Sequence, residues 1–230
     1  MNKEWSDLNK KMQLQIKKKD TFYLGIETLL LLRKDLMTQI LDFKNVLSRE
    51  DFNASPFINA NGYHSKTIAY SLYHIFRIED IVANSLIKKD TEIFFQNDYY
   101  SRMKSSIITT GNELVKEEIV NFSSKLDLNE LYEYIHDVDI STTKLLQKLS
   151  YEDLKIKMTD QDKKMLSSLK VVSDAENSIW LIDYWCSKNI QGLIQMPFSR
   201  HWIMHIEASL RIKDKICEKR NHKNSRISDI

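Results

Sequence analysis

The chain has 230 residues, and its 34 Lys and Arg nearly balance its 32 Asp and Glu, leaving a formal net charge of +2. This balance lacks the basic excess of a general nucleic-acid-binding domain, so we expect no nucleic-acid partner. With only 4 Gly and 2 Pro, the sequence disfavours a many-turned β-sandwich or barrel and favours long helices. Cys186 and Cys217 form no disulfide framework, which fits a reducing compartment.

The N-terminal part of the chain is predicted to be helical and not to insert into a membrane. It lacks the apolar core of a signal peptide. The longest apolar run, Thr28 to Leu32, is far shorter than the roughly 20 residues of a spanning helix, so we expect a cytoplasmic protein. Trp5 to about Phe43 reads as one long helix or two abutting ones. Lys17 to Lys19 interrupts it, either as a solvated face or as a break between two helices.

The next predicted helix contains the first residue of chemical interest. A loop of turn-forming composition, Asn53 to Gly62, precedes it. The helix then runs from near Ser65 to about Lys88, and its apolar residues cover more than one side, which is typical of a helix central to a bundle. His74 lies on the flank of its main stripe. Met103 to Asn112 is predicted as a connection, with Gly111 as a helix breaker.

The C-terminal half continues the helical pattern. A clear helix covers Leu128 to about Leu149, and shorter ones cover Thr159 to about Val172 and Asn177 to about Ser187. Pro197 is placed to begin the last long helix in its first turn. We expect that helix to end near Arg220.

No internal repeat, low-complexity linker or convincing strand breaks this series of helices. The sequence therefore predicts a single all-α domain over residues 1–220 and a polar C-terminal tail over residues 221–230.

A pair of histidines on the last predicted helix suggests a metal site. His201 and His205 are one turn apart on its apolar stripe, so both face the interior or a cleft. Side chains at this spacing start about 5–6 Å apart and can share a metal ion. His74 is the candidate third ligand, and three ligands leave one position open for water or substrate. Trp202 occupies the position where zinc proteases need a glutamate, which disfavours that chemistry. The alternative for each histidine is a hydrogen-bonded core residue.

Other polar and aromatic residues have both a structural and a functional interpretation. Glu79 and Asp80 either orient an imidazole or pair with arginines such as Arg77. Arg200 is a candidate contact for an acidic group or an anionic substrate. The remaining histidines receive no catalytic role, and an aromatic cluster is expected to be core rather than substrate wall; these residues are His64, His136, His222, Trp180, Tyr184 and Trp185.

Two segments together resemble a known family. Thr67–Asp80 (TIAYSLYHIFRIED) and Arg200–His205 (RHWIMH) are similar to the DinB/YfiT-like superfamily of metal-dependent, mostly bacterial enzymes. The resemblance runs from the first helix to the last. It implies a four-helix bundle in an up-down-down-up arrangement, here with extra short helices. The family places one metal-binding histidine on its second helix and an H-x-x-x-H pair on its last, so the implied ligands are His74, His201 and His205.

The same resemblance implies a chemistry. Family members include transferases and isomerases that use a low-molecular-weight thiol such as bacillithiol or mycothiol. In such enzymes a divalent transition metal, zinc or nickel first among the candidates here, favours the reactive thiolate. The resemblance further implies a small-molecule substrate and a homodimer formed through the long helices. The stretch from Asp90 to Asn129 looks like an insertion particular to a subgroup.

Three hypotheses follow from these observations. The first is a metal-dependent enzyme of the DinB type, either a thiol-dependent S-transferase or a hydrolase. The second is a non-catalytic metal- or ligand-binding bundle with a stress-response role. The third is a helical interaction protein whose histidines only fill the core. Metal content separates the third hypothesis from the others, and an open coordination position beside a cavity separates the first from the second.

Overall fold

The computed structural model describes residues 2–57 and 66–228, with side chains through residue 221. Every regular element among these residues is helical, as predicted, and their only β-type pairing is one isolated antiparallel bridge between Lys157 and Asn189. None of the helices in the described part is both long and apolar enough to cross a bilayer.

The helices differ widely in length. The α-helices are α1 (Lys3–Gln15), α2 (Phe22–Val46), α3 (Arg49–Asn53), α4 (Ile68–Asp80), α5 (Ile93–Gln96), α6 (Tyr99–Arg102), α7 (Glu117–Lys125), α8 (Leu128–Lys148), α9 (Asp160–Leu169), α10 (Glu176–Cys186), α11 (Ile190–Gln195) and α12 (His201–Ser228). Short 3₁₀ turns cover Lys19–Thr21 and Asp153–Lys155. Two π-helical segments adjoin long helices: Ile81–Lys88 continues α4, and Met196–Arg200 leads into α12.

The long helices α2, α4, α8 and α12 pack around shared apolar cores. Helix α4 contacts both α8 and α12, and α2 contacts the same two helices. All side chains of α4 from Ile68 to Asp80 are buried, which agrees with its prediction as a central helix. The apolar side chains form two buried clusters, one containing Trp202 and the other containing Phe198. The histidine pair of α12 therefore begins where the two clusters meet.

The N-terminal prediction resolves into two helices. Helix α1 ends at Gln15 and α2 begins at Phe22, so the lysine run marks a break between helices. Gly25 permits the tight packing at this break. A Cβ at Gly25 would lie 2.5 Å from Ile16 Cγ2 and 2.8 Å from Ile16 N, which leaves no room for any side chain.

Several element bounds differ from the sequence prediction. Helix α4 begins at Ile68, while the predicted start at Ser65 and part of the predicted loop lie outside the described residues. Helix α11 was not predicted, because six residues are too few to show a helical period. Helix α12 continues to Ser228 instead of ending near Arg220, since no glycine or proline follows Arg220 to stop it. The predicted polar tail is thus helical through Ser228.

Candidate metal centre

The fold brings together the three histidines selected from the sequence. The ring nitrogens that His74, His201 and His205 offer all lie within 4.8 Å of one another. The Nε2 atoms of His74 and His201 are 3.2 Å apart. The three side chains are only 4%, 7% and 5% exposed, respectively. Groups so close together around one point have the arrangement of ligands for a single metal ion.

Two helices build this cluster. His74 lies on α4, and the other two histidines lie in the first turns of α12, which packs directly against α4. The i,i+4 spacing holds the His201 and His205 rings with their centroids 4.5 Å apart. Pro197 begins the π-helical turn that leads into α12, where its missing N–H costs no helical hydrogen bond.

The hydrogen bonding of His74 determines which of its nitrogens carries the proton. Its Nδ1 lies 2.8 Å from the backbone carbonyl oxygen of Thr110. A carbonyl oxygen can only accept, so Nδ1 donates, and the neutral ring then keeps the Nε2 lone pair free. Nε2 is the atom that faces His201. Metal-binding histidines commonly use such a bond to a backbone carbonyl to fix the ring and its tautomer.

The other two imidazoles have buried nitrogens without a partner. Nδ1 of His201 and Nδ1 of His205 accept or donate no hydrogen bond within the described part of the chain. A buried polar atom without a partner costs about 1–3 kcal/mol, so a cluster with two such atoms calls for an explanation. At His201, however, it is Nε2 that faces His74, so the unpartnered Nδ1 atom is not the nitrogen that the cluster offers to an ion. What fits a divalent transition metal is the donor set itself, three imidazoles close together.

The surroundings keep all three imidazoles in the neutral form that a metal requires. Burial, together with the positive charge of Lys66, lowers the pKa of His74 to about 3. Burial also holds the pKa of His201 and of His205 well below the usual histidine value. Charging any one ring would place a positive charge in an apolar environment and near the charge of Lys66. At neutral pH each of the three rings is therefore uncharged, with one protonated nitrogen and one nitrogen that bears a lone pair.

A loop from the predicted insertion packs along the face of α4 that carries His74. We call residues 107–111 the strap. Each of its five successive carbonyls lies within hydrogen-bond distance of an α4 side-chain donor, and the single O–H of Tyr73 is shared between two of them. Tyr73 donates to the carbonyls of Ile107 and Thr109, and Arg77 donates to that of Ile108. His74 donates to the carbonyl of Thr110, and Tyr70 donates to that of Gly111.

The donor positions 70, 73, 74 and 77 follow the i, i+3, i+4, i+7 spacing of one helix face. The Tyr70 ring also stacks on the His74 ring, with centroids 5.6 Å apart and planes 11° from parallel. One face of α4 thus holds both the strap and the first imidazole. From the sequence, this stretch was predicted only as a connection within the insertion.

Glu79 lies in a buried ion cluster beside the histidine pair rather than against an imidazole. Its carboxylate accepts two hydrogen bonds from Arg33, at 2.9 and 2.7 Å, and one from the indole N–H of Trp202 at 2.7 Å. The Arg33 guanidinium also bonds Asp139 at 2.6 Å and lies over the Trp202 ring. Glu79 therefore ties α4 to the residue between His201 and His205.

Asp80 is also engaged structurally. Its carboxylate accepts hydrogen bonds from the Tyr134 hydroxyl, from Asn84 and from the backbone N–H groups of Ile93 and Phe94. Arg77 is 3.6 Å away. These bonds fasten the beginning of α5 to the end of α4. Of the two interpretations of Glu79 and Asp80, pairing with arginines is the one the contacts support.

The remaining candidates are not members of the histidine cluster or lie outside the described part. His136 and Arg200 are exposed, and Trp185 is buried in the core while Trp180 is 49% exposed. His64 and the side chain of His222 lie outside the described residues. The prediction that the aromatic cluster is core thus holds for Trp185 and not for Trp180.

Comparison with known proteins adds no assignment. No protein-family model matches the chain, and neither a curated protein nor a solved structure matches it. The residues and geometry of the histidine cluster are therefore the basis for inferring a function.

Proposed function

We propose that this protein is a metal-dependent enzyme of the DinB type, with its long helices in the up-down-down-up bundle of that family. His74, His201 and His205 would hold a divalent transition metal, zinc or nickel first. The observation that carries the proposal is the convergence of three buried, neutral imidazoles whose ring nitrogens lie within 4.8 Å of one another. Three protein ligands leave a position for a substrate atom, as catalytic sites require.

A metal bound there would supply a Lewis acid that lowers the pKa of a bound thiol or water. The chain's own residues would do the rest. The three imidazoles hold the ion, and the Thr110 carbonyl keeps His74 in the tautomer with Nε2 free. The apolar surroundings exclude bulk water, which strengthens electrostatic interactions within the site. A thiol-dependent S-transfer or a hydrolysis of a small molecule fits this arrangement.

A non-catalytic metal- or ligand-binding bundle is the second candidate. It is favoured by the engagement of Glu79 and Asp80, the two carboxylates on the histidine-bearing stretch of α4, in bonds to other groups. Neither is then available as a general base, a role that needs a group within hydrogen-bond reach of the reacting proton.

The first test is elemental analysis by mass spectrometry of protein purified without a His-tag or chelator. The wild type is compared with the double variant His201→Ala/His205→Ala and with His136→Ala, which removes an exposed histidine that is not a member of the cluster. We expect about one equivalent of metal in the wild type and in His136→Ala, and none in the double variant. No metal in any of them, even after incubation with zinc and nickel, would favour a helical interaction protein.

A second measurement separates the two metal-binding candidates. The protein is loaded with Co²⁺, whose visible spectrum reports its ligands, and then titrated with bacillithiol or a simpler thiol. A new sulfur-to-cobalt band would indicate that the thiol enters an open position. An unchanged spectrum at saturating thiol would favour a closed, non-catalytic site.

A further inference from the structure

We infer that the strap and the metal site are thermodynamically coupled, so that Tyr70 and Tyr73 act as positioning residues for a metal they do not touch. This inference rests on the proposed metal site. It concerns the strap, residues 107–111, whose carbonyls accept hydrogen bonds from α4, and the tautomer of His74 that the docked strap selects.

The coupling begins at one hydrogen bond. The Thr110 carbonyl accepts from His74 Nδ1 only when that nitrogen is protonated. The neutral ring then has its lone pair on Nε2, which faces the histidine pair. With the strap undocked, both tautomers would be accessible, and a part of the population would have the proton on the nitrogen that a metal needs. Docking therefore increases the fraction of chains competent to bind metal.

The rest of the strap is held by donors that lie outside the cluster. The Tyr73 hydroxyl is 3.1 Å from the carbonyl oxygen of Ile107 and 3.0 Å from that of Thr109. The Tyr70 hydroxyl is 3.0 Å from the carbonyl oxygen of Gly111. These bonds flank Thr110 on both sides along the chain. Loss of either hydroxyl should loosen the carbonyl that orients His74 without removing a ligand.

Coupling of this kind acts in both directions. If a docked strap strengthens metal binding, then bound metal must stabilise the docked strap by the same free energy. Backbone amides in and beside the strap should consequently exchange more slowly with solvent when metal is bound. A merely structural loop would show no such response.

The experiment combines zinc affinity with hydrogen exchange on the full chain. Zinc affinity is measured by competition with a chelator for the wild type, Tyr70→Phe, Tyr73→Phe and the control Tyr132→Phe. Tyr132 is buried too, and its hydroxyl donates to the carbonyl of Ile40 at 2.8 Å, so the control loses a similar bond away from the strap. Both Phe variants at the strap keep the ring and therefore its packing.

We expect zinc affinity to fall about 3- to 10-fold in Tyr70→Phe and in Tyr73→Phe, below the 10–100-fold typical of removing a direct partner of a ligand. Tyr132→Phe should stay within about twofold of the wild type. Zinc should slow amide exchange in peptides covering residues 105–114 and leave α9 unchanged. The same slowing should be smaller in Tyr73→Phe.

Two results would overturn the inference, and they are distinguishable. In the first, the wild type binds one zinc, but the strap variants have the same zinc affinity as Tyr132→Phe and zinc does not change amide exchange at residues 105–114. The coupling is then wrong, while the metal site stands. If the wild type binds no zinc, the proposed function fails and the coupling fails with it.

Discussion

Trp202 donates its indole N–H to Glu79 across the interface between α12 and α4, at 2.7 Å. Trp202 stands between the two histidines of α12, and Glu79 lies five residues after His74 on α4. This bond therefore links the two histidine-bearing helices close to the cluster. The same Glu79 carboxylate pairs with Arg33, which contacts no other buried carboxylate among the described residues.

Glu79→Ala should be strongly destabilising. It leaves the buried Arg33 guanidinium with the half-buried Asp139 and the Phe198 carbonyl as partners, and it leaves the Trp202 N–H without an acceptor. Breaking a buried pair in this way costs about 3–5 kcal/mol of unfolding free energy. Urea-induced unfolding followed by circular dichroism measures the loss.

The control for this prediction is Glu130→Ala, which removes the partner of Arg102 in a pair that solvent reaches. Such surface pairs contribute about 0–1 kcal/mol. Equal losses of unfolding free energy in Glu79→Ala and Glu130→Ala would show that the buried ion cluster stabilises the fold no more than an exposed pair does.

Gly111→Ala should destabilise the strap. Gly111 has φ = +79°, a conformation in which a side chain is strained, and a Cβ there would lie 3.1 Å from the Tyr70 ring. We expect a loss of about 1–2 kcal/mol in unfolding free energy. The comparison is Gly192→Ala, within α11, where no positive φ is involved and the new methyl group would lie 3.2 Å from Cβ and from Cδ of Lys188.

Alanine is favoured over glycine inside a helix by about 1 kcal/mol, so Gly192→Ala should be neutral or stabilising. A Gly111→Ala protein as stable as Gly192→Ala in the same urea titration would contradict the description of the strap given above.

Metal should raise the thermal stability of the wild type. A ligand that binds only the folded state stabilises it by about 2.7 kcal/mol at one hundred times its Kd. Differential scanning calorimetry with zinc and with EDTA should therefore show a higher Tm for the zinc-loaded protein. His74→Ala should show the same Tm under both conditions, and His136→Ala should respond like the wild type. A zinc-dependent Tm shift in His74→Ala would exclude that residue as a ligand.

We propose that the homodimer implied by the family resemblance forms through α2. Leu24, Leu31 and Leu41 point outward on this helix and are 49%, 50% and 52% exposed. The exposed Glu27 and Lys34 lie on the same stripe. In an antiparallel pairing centred between positions 31 and 34, the leucines at 24 and 41 of two copies meet, and Glu27 of one copy lies next to Lys34 of the other.

Charge reversal tests this pairing. Glu27→Lys and Lys34→Glu should each weaken the dimer, because each places like charges together, and the double variant should restore it. Light scattering at micromolar concentration measures the mass. Glu133→Lys, on the exposed face of α8, is the control. A monomeric wild type, or a double variant no better than either single one, would refute the interface.

The sequence predicted those parts of the structure that follow from the spacing of side chains along a helix. The stripes of α4 and α12 were visible from apolar spacing, and the i,i+4 pair followed from His201 and His205 alone. The proximity of His74 required two helices to pack together, which its position on a centrally buried helix suggested. Confirmation extends to the all-helical class and to the clustering of the three histidines, while their role as metal ligands remains a prediction.

The strap escaped prediction for a physical reason. Its contribution to the site is the carbonyl of Thr110, and every residue type supplies the same carbonyl. The π-helical segments at the end of α4 and before α12 were missed because one extra residue per turn has no distinct composition. The binding partner of Glu79 was equally hidden, since Arg33 is distant in sequence and its stretch of α2 was read only as helical.

The strap is held through its main-chain carbonyls, and this affects which residues related proteins would need to share. Residues 107–110 can be substituted while their hydrogen bonds to α4 persist. Tyr73, His74 and Arg77 bind backbone carbonyl oxygens, which every residue type has. A related protein with the same strap should therefore be recognised from α4, by hydrogen-bond donors at positions 70, 73, 74 and 77. A related protein could differ in much of the strap's sequence and keep its conformation. Substitutions at those four positions of α4 would instead remove the donors that hold the strap.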